Sequence, residues 1–208
     1  MTKSLPWLAA ALLLTTGCEK AQKAQEAYSN LSKLSEAGKK LETTMEEAKD
    51  RHAERVQKGD TLSLPYKDLE NYLPAEVSGY TAAAPSGQSM RTAGMAFSSA
   101  ERTFTRDTAE VKVSIVDYNG ANQLFQGASA MFSLGLESED DESLTKEAKL
   151  DLSGVKGSET FRKKTGGADI TLAVGDRFLV TISGTKQPDL TLVETVAKSM
   201  DLPKMAKL

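Results

Sequence analysis

The sequence predicts an α+β fold, in which a long N-terminal helix precedes an antiparallel sheet of about five or six strands with helices packed on it. Two observations predict this class. Residues 19–58 contain no proline and one glycine, and they are rich in Ala, Glu, Lys, Gln and Leu, which favour helix. After residue 92, short segments of alternating apolar residues are separated by turns and by two segments with helical spacing. Long antiparallel strands with helices gathered on one face are typical of α+β proteins.

The N-terminal helix carries a narrow apolar stripe, because small or apolar residues recur in alternating steps of three and four. These residues are Ala24, Ala27, Leu31, Leu34, Gly38, Leu41, Met45 and Ala48. Either the helix is a spacer that can pair with a second copy as a coiled coil, or its stripe packs back on the rest of the chain. Only Leu31, Leu34 and Leu41 are strongly apolar, so we expect at most a weak homo-oligomer through this helix.

The segment after Gly59 predicts a short helix and then a loop. Pro65 suits the first turn of a helix, and Leu69 and Leu73 follow on one face of it. Residues 79–89 are rich in Ala, Pro, Ser and Gly, which predicts a loop rather than a strand.

The sheet is predicted to begin near residue 93 with a hairpin whose second strand is residues 110–118. Helical spacing over residues 121–134 predicts a helix packed across the sheet, and an acidic loop follows at residues 137–142. A helix over residues 190–200 closes the fold. The remaining strand candidates are residues 146–152, 157–162, 168–174 and 177–183.

The order of these elements over about residues 60–202 resembles that of PsbP-like proteins. This resemblance implies a curved antiparallel sheet with helices on its faces. Short phrases also resemble functionally uncharacterised bacterial envelope lipoproteins, and this second resemblance implies no catalytic residue. The phrases are Leu69…Leu73-Pro74…Gly79-Tyr80, Asp117-Tyr118 and Arg177-Phe178.

Residues 1–18 have the layout of an export signal. They read MTKSLPWLAAALLLTTGC, with one cation, an apolar run, and small residues before the only cysteine of the chain. The apolar run is shorter than the roughly 20 residues that span a bilayer. Leu14–Cys18 resembles the lipobox of bacterial lipoproteins, which identifies Cys18 as the expected lipidation site.

The lipobox resemblance implies a signal peptide over residues 1–17, a lipid anchor and helical stalk over residues 18–59, and a globular α+β domain over residues 60–208. The thiol of Cys18 would carry diacylglycerol, and its amino group a further acyl chain such as palmitate. Two or more acyl chains anchor a protein stably to a membrane. Glu19 favours the periplasmic face of the outer membrane over the inner membrane, by the sorting rule of enterobacterial lipoproteins.

The composition argues against nucleic acid as a partner, because 29 acidic residues outnumber 26 Lys and Arg and the net charge is −3. A single cysteine permits no disulfide within the chain. Stability must therefore come from burial of apolar side chains.

Few residues of the sequence could carry catalytic or metal-binding chemistry. His52 is the only histidine and is predicted to be a solvated residue of the charged helix. Asp117 and Asp176 are predicted at strand ends, where they act in turns or form the carboxylate pair of a hydrolase. Residues 137–142 form a solvated loop or collect a cation, although their spacing is not that of an EF-hand.

We therefore expect no catalytic, cofactor-binding or metal-binding residue and no cofactor. The expected function is that of a membrane-tethered lipoprotein of the cell envelope. It would act as a binding or structural module, not as an enzyme, and would have an envelope protein as partner. Two alternatives stay open: an envelope hydrolase that uses the strand-end carboxylates, and an oligomeric scaffold formed through the stalk helix.

Overall fold

The computed structural model describes residues 16–92, 95–133, 135 and 137–208. It corrects the predicted fold class. The described chain is mostly one large antiparallel sheet of nine strands with a few short helices, so the prediction of an α+β fold with five or six strands is wrong. The contacts divide the chain into two compact units, Met1–Lys39 and Lys40–Leu208. The predicted division at residues 17 and 59 stays a prediction.

The helices and strands are numbered here in chain order. The helices are α1 (Thr16–Gln57), α2 (Tyr66–Glu70), α3 (Asn122–Ser133), α4 (Thr191–Ser199) and α5 (Leu202–Met205). The strands are β1 (Thr81–Ala82), β2 (Ser86–Thr92), β3 (Met95–Arg106), β4 (Ala109–Gly120), β5 (Ser138–Glu139), β6 (Ser143–Glu147), β7 (Val155–Arg162), β8 (Gly167–Val174) and β9 (Phe178–Gly184).

The strands follow the order β1-β3-β4-β9-β8-β7-β6-β5, and β2 also pairs with β3. The strands absent from the prediction are short or lie at an edge. β1 and β2 occupy most of the predicted loop over residues 79–89, and six of the seven residues of β2 are exposed. An edge strand with little burial has no alternating apolar pattern, so its sequence resembles that of a loop. β5 likewise lies inside the predicted acidic loop.

One face of the sheet holds the hydrophobic core. Alternate residues of β4, β9 and β8 face it, as the pattern of Val111, Val113 and Ile115 predicted. The short helices α2, α4 and α5 cover this face with Leu69, Leu73, Val193, Val196, Leu202 and Met205. On the other face, α3 contacts β4 and β7, and Phe125 of α3 lies 6.5 Å from Tyr118 of β4, between ring centroids.

The sheet has two distinct ends along the strand direction. At the Gly120 end, β4 finishes, β9 begins at Phe178 and β8 finishes at Val174. At the Asp107 end, β3 turns into β4 through a left-handed Asp107, whose φ is 52°. The two ends differ in that the large exposed hydrophobic side chains of the described residues lie at the Gly120 end.

Candidate functional site

A buried ion pair lies at the Gly120 end of the sheet. The guanidinium of Arg177 donates to both carboxylate oxygens of Asp117, over 2.9 Å from Nε and 2.8 Å from Nη2. Arg177 is 2% exposed and Asp117 is fully buried. Asp117 also accepts hydrogen bonds from the backbone N–H groups of Leu64, at 2.7 Å, and Asn119, at 2.9 Å. The carboxylate is therefore fully hydrogen-bonded within the protein.

The same network fixes the segment that follows α1. Nη1 of Arg177 donates to Asp60 over 2.9 Å. The side-chain amide of Asn119 donates to the backbone oxygens of Asp60 and Leu62, each at 3.1 Å. This segment belongs to no helix or strand, and these polar groups bind its backbone oxygens.

The C-terminal part of α1, from Lys40 on, belongs to the second unit and contacts the sheet there, whereas the two alternatives for the stripe as a whole stay open. Ala48 is 6% exposed. Arg55 donates to the side-chain oxygen of Asn119 over 3.0 Å, and Arg51 forms an ion pair with Asp176. The hydrogen bond to Asp176 is the main reason why the pKa of Arg51 is raised. Residues 40–57 are thus held by polar contacts of Arg51 and Arg55 together with burial of Ala48.

His52 of α1 is partly buried, so its prediction as a solvated residue is wrong. Its Nδ1 is buried and has no hydrogen-bond partner within the described part of the chain. Burial, and then the charge of Arg55, lower the pKa of the imidazole. The neutral form therefore fits this position, and among the described residues His52 belongs to no group of three His, Cys, Asp or Glu side chains that could hold a metal ion.

A cleft of about 330 Å³ lies between α1, α3 and the sheet. Its walls include Arg51 of α1 and Phe125 of α3, and Lys156 of β7 lines it beside small residues. Gly175 allows the backbone of Ala206 to pack closely on the turn between β8 and β9, because its φ of 61° is left-handed and a Cβ there would lie 2.7 Å from that backbone. Such a cleft, with an aromatic ring, two cations and the carboxylates of Glu47 and Asp176, can accommodate a small ligand or the side chain of a partner.

A second, shallower groove of about 500 Å³ lies between the α2 turn and the corner of α4 and α5. Tyr72 and Lys204 face each other across it, with Nζ 5.9 Å from the ring centroid. Asp68 and Asp201 complete its polar lining. Tyr72 lines this groove, whereas Tyr66, Tyr80 and Tyr118 line neither of these two cavities.

A buried carboxylate lies away from both cavities, on the core face of β7. Glu159 is 2% exposed, and one of its oxygens lies 2.6 Å from Nζ of Lys146. Its other oxygen has no hydrogen-bond partner among the described protein atoms. Burial raises the pKa of Glu159, the nearby carboxylate of Glu194 raises it further, and Lys146 opposes both effects.

Glu159→Gln is expected to stabilise the protein at neutral pH. A carboxyl group whose pKa is raised on folding favours the folded state while it is protonated, and this stability is lost as the pH rises through the folded-state pKa. The advantage of the variant should therefore be small below the ordinary carboxyl pKa of 4.5 and grow toward pH 7. Urea unfolding of both proteins across this range measures it.

Glu101→Gln is the matched control, because Glu101 pairs with Lys112 at the surface and its side chain is 44% exposed. We expect little change in unfolding free energy for this variant at any pH. If Glu159→Gln raises the free energy of unfolding by the same amount from acid to neutral pH, the buried charge does not have the role described.

The structure separates the two strand-end carboxylates by role. Asp117 is inaccessible and bound to Arg177, so it cannot contact a substrate. Asp176 lies in the turn between β8 and β9, pairs with Arg51 and lines the cleft. Neither is free as a general acid or base in this arrangement.

The acidic segment 137–142 forms part of a hairpin and is paired with lysines. Lys163 contacts Glu139 at 2.8 Å and Lys164 contacts Glu142 at 2.6 Å. Asp140 accepts backbone hydrogen bonds from Glu142 and Ser143, and these lower its pKa. Within the described residues, no three His, Cys, Asp or Glu side chains are grouped so that they could hold a metal ion.

Sequence reasoning missed Arg177, Glu159 and Arg51. Arg177 directly precedes an apolar strand, and Glu159 occupies a core-facing position between Gly157 and Phe161. A charged residue at the start of a buried strand or at a core-facing position of a strand indicates a buried ion pair. Cys18 lies within α1, but its side chain is outside the described ones, so its lipidation stays a prediction.

Comparisons with protein-family models, curated proteins and solved structures find no match for this chain. Among the helices of the described residues, none is long and apolar enough to cross a membrane.

Proposed function

We propose that this protein is a lipoprotein of the bacterial cell envelope that acts as a tethered binding or structural module. The lipobox-like sequence Leu14–Cys18 carries the proposal. Acyl chains on Cys18 would hold the mature protein on its membrane, on the periplasmic face of the outer membrane rather than at the inner membrane. The proposed module is not an enzyme and uses no cofactor.

The geometry of the second unit supports a binding role over a hydrolytic one. Asp117 is buried under Arg177, and Asp176 is paired with Arg51, so the proposed pair of catalytic carboxylates is occupied by structural contacts. The cleft beside α1 is instead accessible and combines Phe125 and the cation of Lys156 with the ion pair of Arg51 and Asp176. We propose this cleft as the place where an envelope partner or a small ligand binds.

Cys18→Ala tests the anchor. The unsubstituted protein is expected in the membrane fraction, and mass spectrometry of its mature amino terminus should show an acylated cysteine at position 18. The variant should lose both the acyl mass and the membrane attachment. An unmodified thiol on an unprocessed, freely diffusing protein would disprove the lipoprotein proposal.

A photocrosslinking residue at Ser129, in the wall of the cleft, tests the binding role in the native envelope. A consistent crosslinked neighbour is expected from this position and not from Lys186, which is exposed at the Asp107 end. Crosslinking at Ser129 that does not exceed crosslinking at Lys186 would remove the cleft as the binding site. Sedimentation of the protein over a range of concentrations tests the remaining alternative, an oligomer formed through α1.

A further inference from the structure

The exposed apolar side chains of this protein are not scattered. The described residues expose six large hydrophobic side chains, each by 40–55%. Single exposed apolar residues are normal on a protein surface, so only their distribution is informative. The six are Val56, Leu62, Met90, Met95, Leu124 and Leu208.

All six lie at the Gly120 end of the sheet. The backbone oxygens of Leu62 and Leu208 both accept hydrogen bonds from Arg177, each at 3.4 Å. Val56 follows Arg55, which binds Asn119. The three therefore lie around the buried ion pair.

The other three belong to the neighbouring strand ends. Met95 begins β3, next to the residue that pairs with Gly120. Met90 lies opposite Phe97 in the same hairpin. Leu124 is in the first turn of α3, which starts directly after β4.

The Asp107 end has the opposite character. Its turns carry exposed polar and charged side chains, and none of the six exposed hydrophobic side chains lies there. The exposed cations of these turns are Arg106, Lys163, Lys164 and Lys186. Among the described residues, the large exposed apolar side chains are therefore confined to one end of the sheet.

Exposed cations accompany the apolar side chains. Arg91 follows Met90, Lys58 lies two residues after Val56, and Lys207 precedes Leu208; all three cations are exposed. Apolar side chains interleaved with cations are suited to an interface where acyl chains lie beneath anionic headgroups.

We propose that the six side chains, called here the apolar rim, rest on the surface of an anionic phospholipid bilayer. None of the six side chains lines either of the two cavities described above, and they come from α1, the segment after it, the β2–β3 hairpin, α3 and the C-terminal residue. A bilayer surface accepts such separate side chains individually. The proposal rests on the proposed anchor at Cys18, which would keep a bilayer within reach of the body.

Labels at single positions test this contact. The acylated protein receives one cysteine, at Leu124 or at Lys186, and an environment-sensitive nitrobenzoxadiazole label. It is reconstituted in vesicles of phosphatidylcholine with phosphatidylglycerol. At position 124 we expect a blue-shifted emission and a several-fold slower reaction with dithionite than at position 186. A smaller difference is expected in pure phosphatidylcholine.

If the labels at both positions emit as they do in water and react with dithionite at the same rate, the proposal is overturned. A shift at position 124 that depends on protein concentration without vesicles would identify a second copy as the occupant, and would also overturn it. An equal shift in the neutral vesicles would disprove the role of the three cations.

The anchor and the rim are distinguished in the same samples. Mass spectrometry reports acylation of Cys18 separately from the labels. The full chain with Cys18→Ser, labelled at position 124 or 186 and mixed with the same vesicles, measures rim contact without acyl chains. A shift confined to position 124 supports the rim even if the anchor is absent, and no shift there overturns it.

Discussion

Arg177→Met is expected to lower the free energy of unfolding by about 3–5 kcal/mol, because it leaves the carboxylate of Asp117 buried without its cation. Asp117 has no exposed surface and keeps only its two backbone donors in the variant. The loss should also loosen the segment around Asp60, which binds the same guanidinium. Urea unfolding at neutral pH measures the change.

Two further variants distinguish the effect of an unpaired buried charge from the effect of losing an arginine side chain. Arg162→Met removes an ion pair with Asp169 in which the arginine side chain is 51% exposed, and it should cost only about 0–1 kcal/mol. The double variant Asp117→Leu/Arg177→Met removes both charges and should be more stable than Arg177→Met alone. A double variant as unstable as the single one would show that the uncompensated charge is not the main cause.

Phe178→Ala is expected to lower the free energy of unfolding by about 3–5 kcal/mol, since it removes a fully buried aromatic ring from the core. Phe178 begins β9 and lies against β4 and β8, opposite Asp117 and Val174. Asp117 and Val174 are fully buried and held in paired strands. The cavity should therefore persist, and thermal or urea unfolding detects its cost.

Leu124→Ala is the comparison for this loss, because Leu124 is 55% exposed and a substitution of that kind usually changes stability by less than about 0.5 kcal/mol. If both variants lose a similar free energy of unfolding, Phe178 does not contribute to the core as described.

The elements that the sequence predicted are those with a regular pattern. The alternation over residues 110–118 corresponds to β4 (Ala109–Gly120), and the helical spacing over residues 190–200 corresponds to α4 (Thr191–Ser199). Both patterns arise because one side of the element is buried and the other is not. The strands that were missed have no such contrast. β2 is exposed along most of its length, and β5 has two residues, both exposed.

The candidate site was harder to predict from the sequence than the strands were. Asp117 and Asp176 were singled out because they stood at strand ends, and the structure places them in two different ion pairs. The partner of Asp117 lies 60 residues further along the chain. No local spacing connects the two residues, because antiparallel pairing of β4 with β9 brings them together.

The sequence by itself determined where the regular strands and helices lie and supplied the lipobox-like Cys18, because these depend on residues that are close together in the chain. Only the tertiary structure decided that nine strands join in one sheet, that Arg177 neutralises Asp117, and that the exposed apolar side chains gather at one end. The physical reason is that sheet pairing and burial of charge depend on distant segments. Their contacts form only when the whole sheet is assembled.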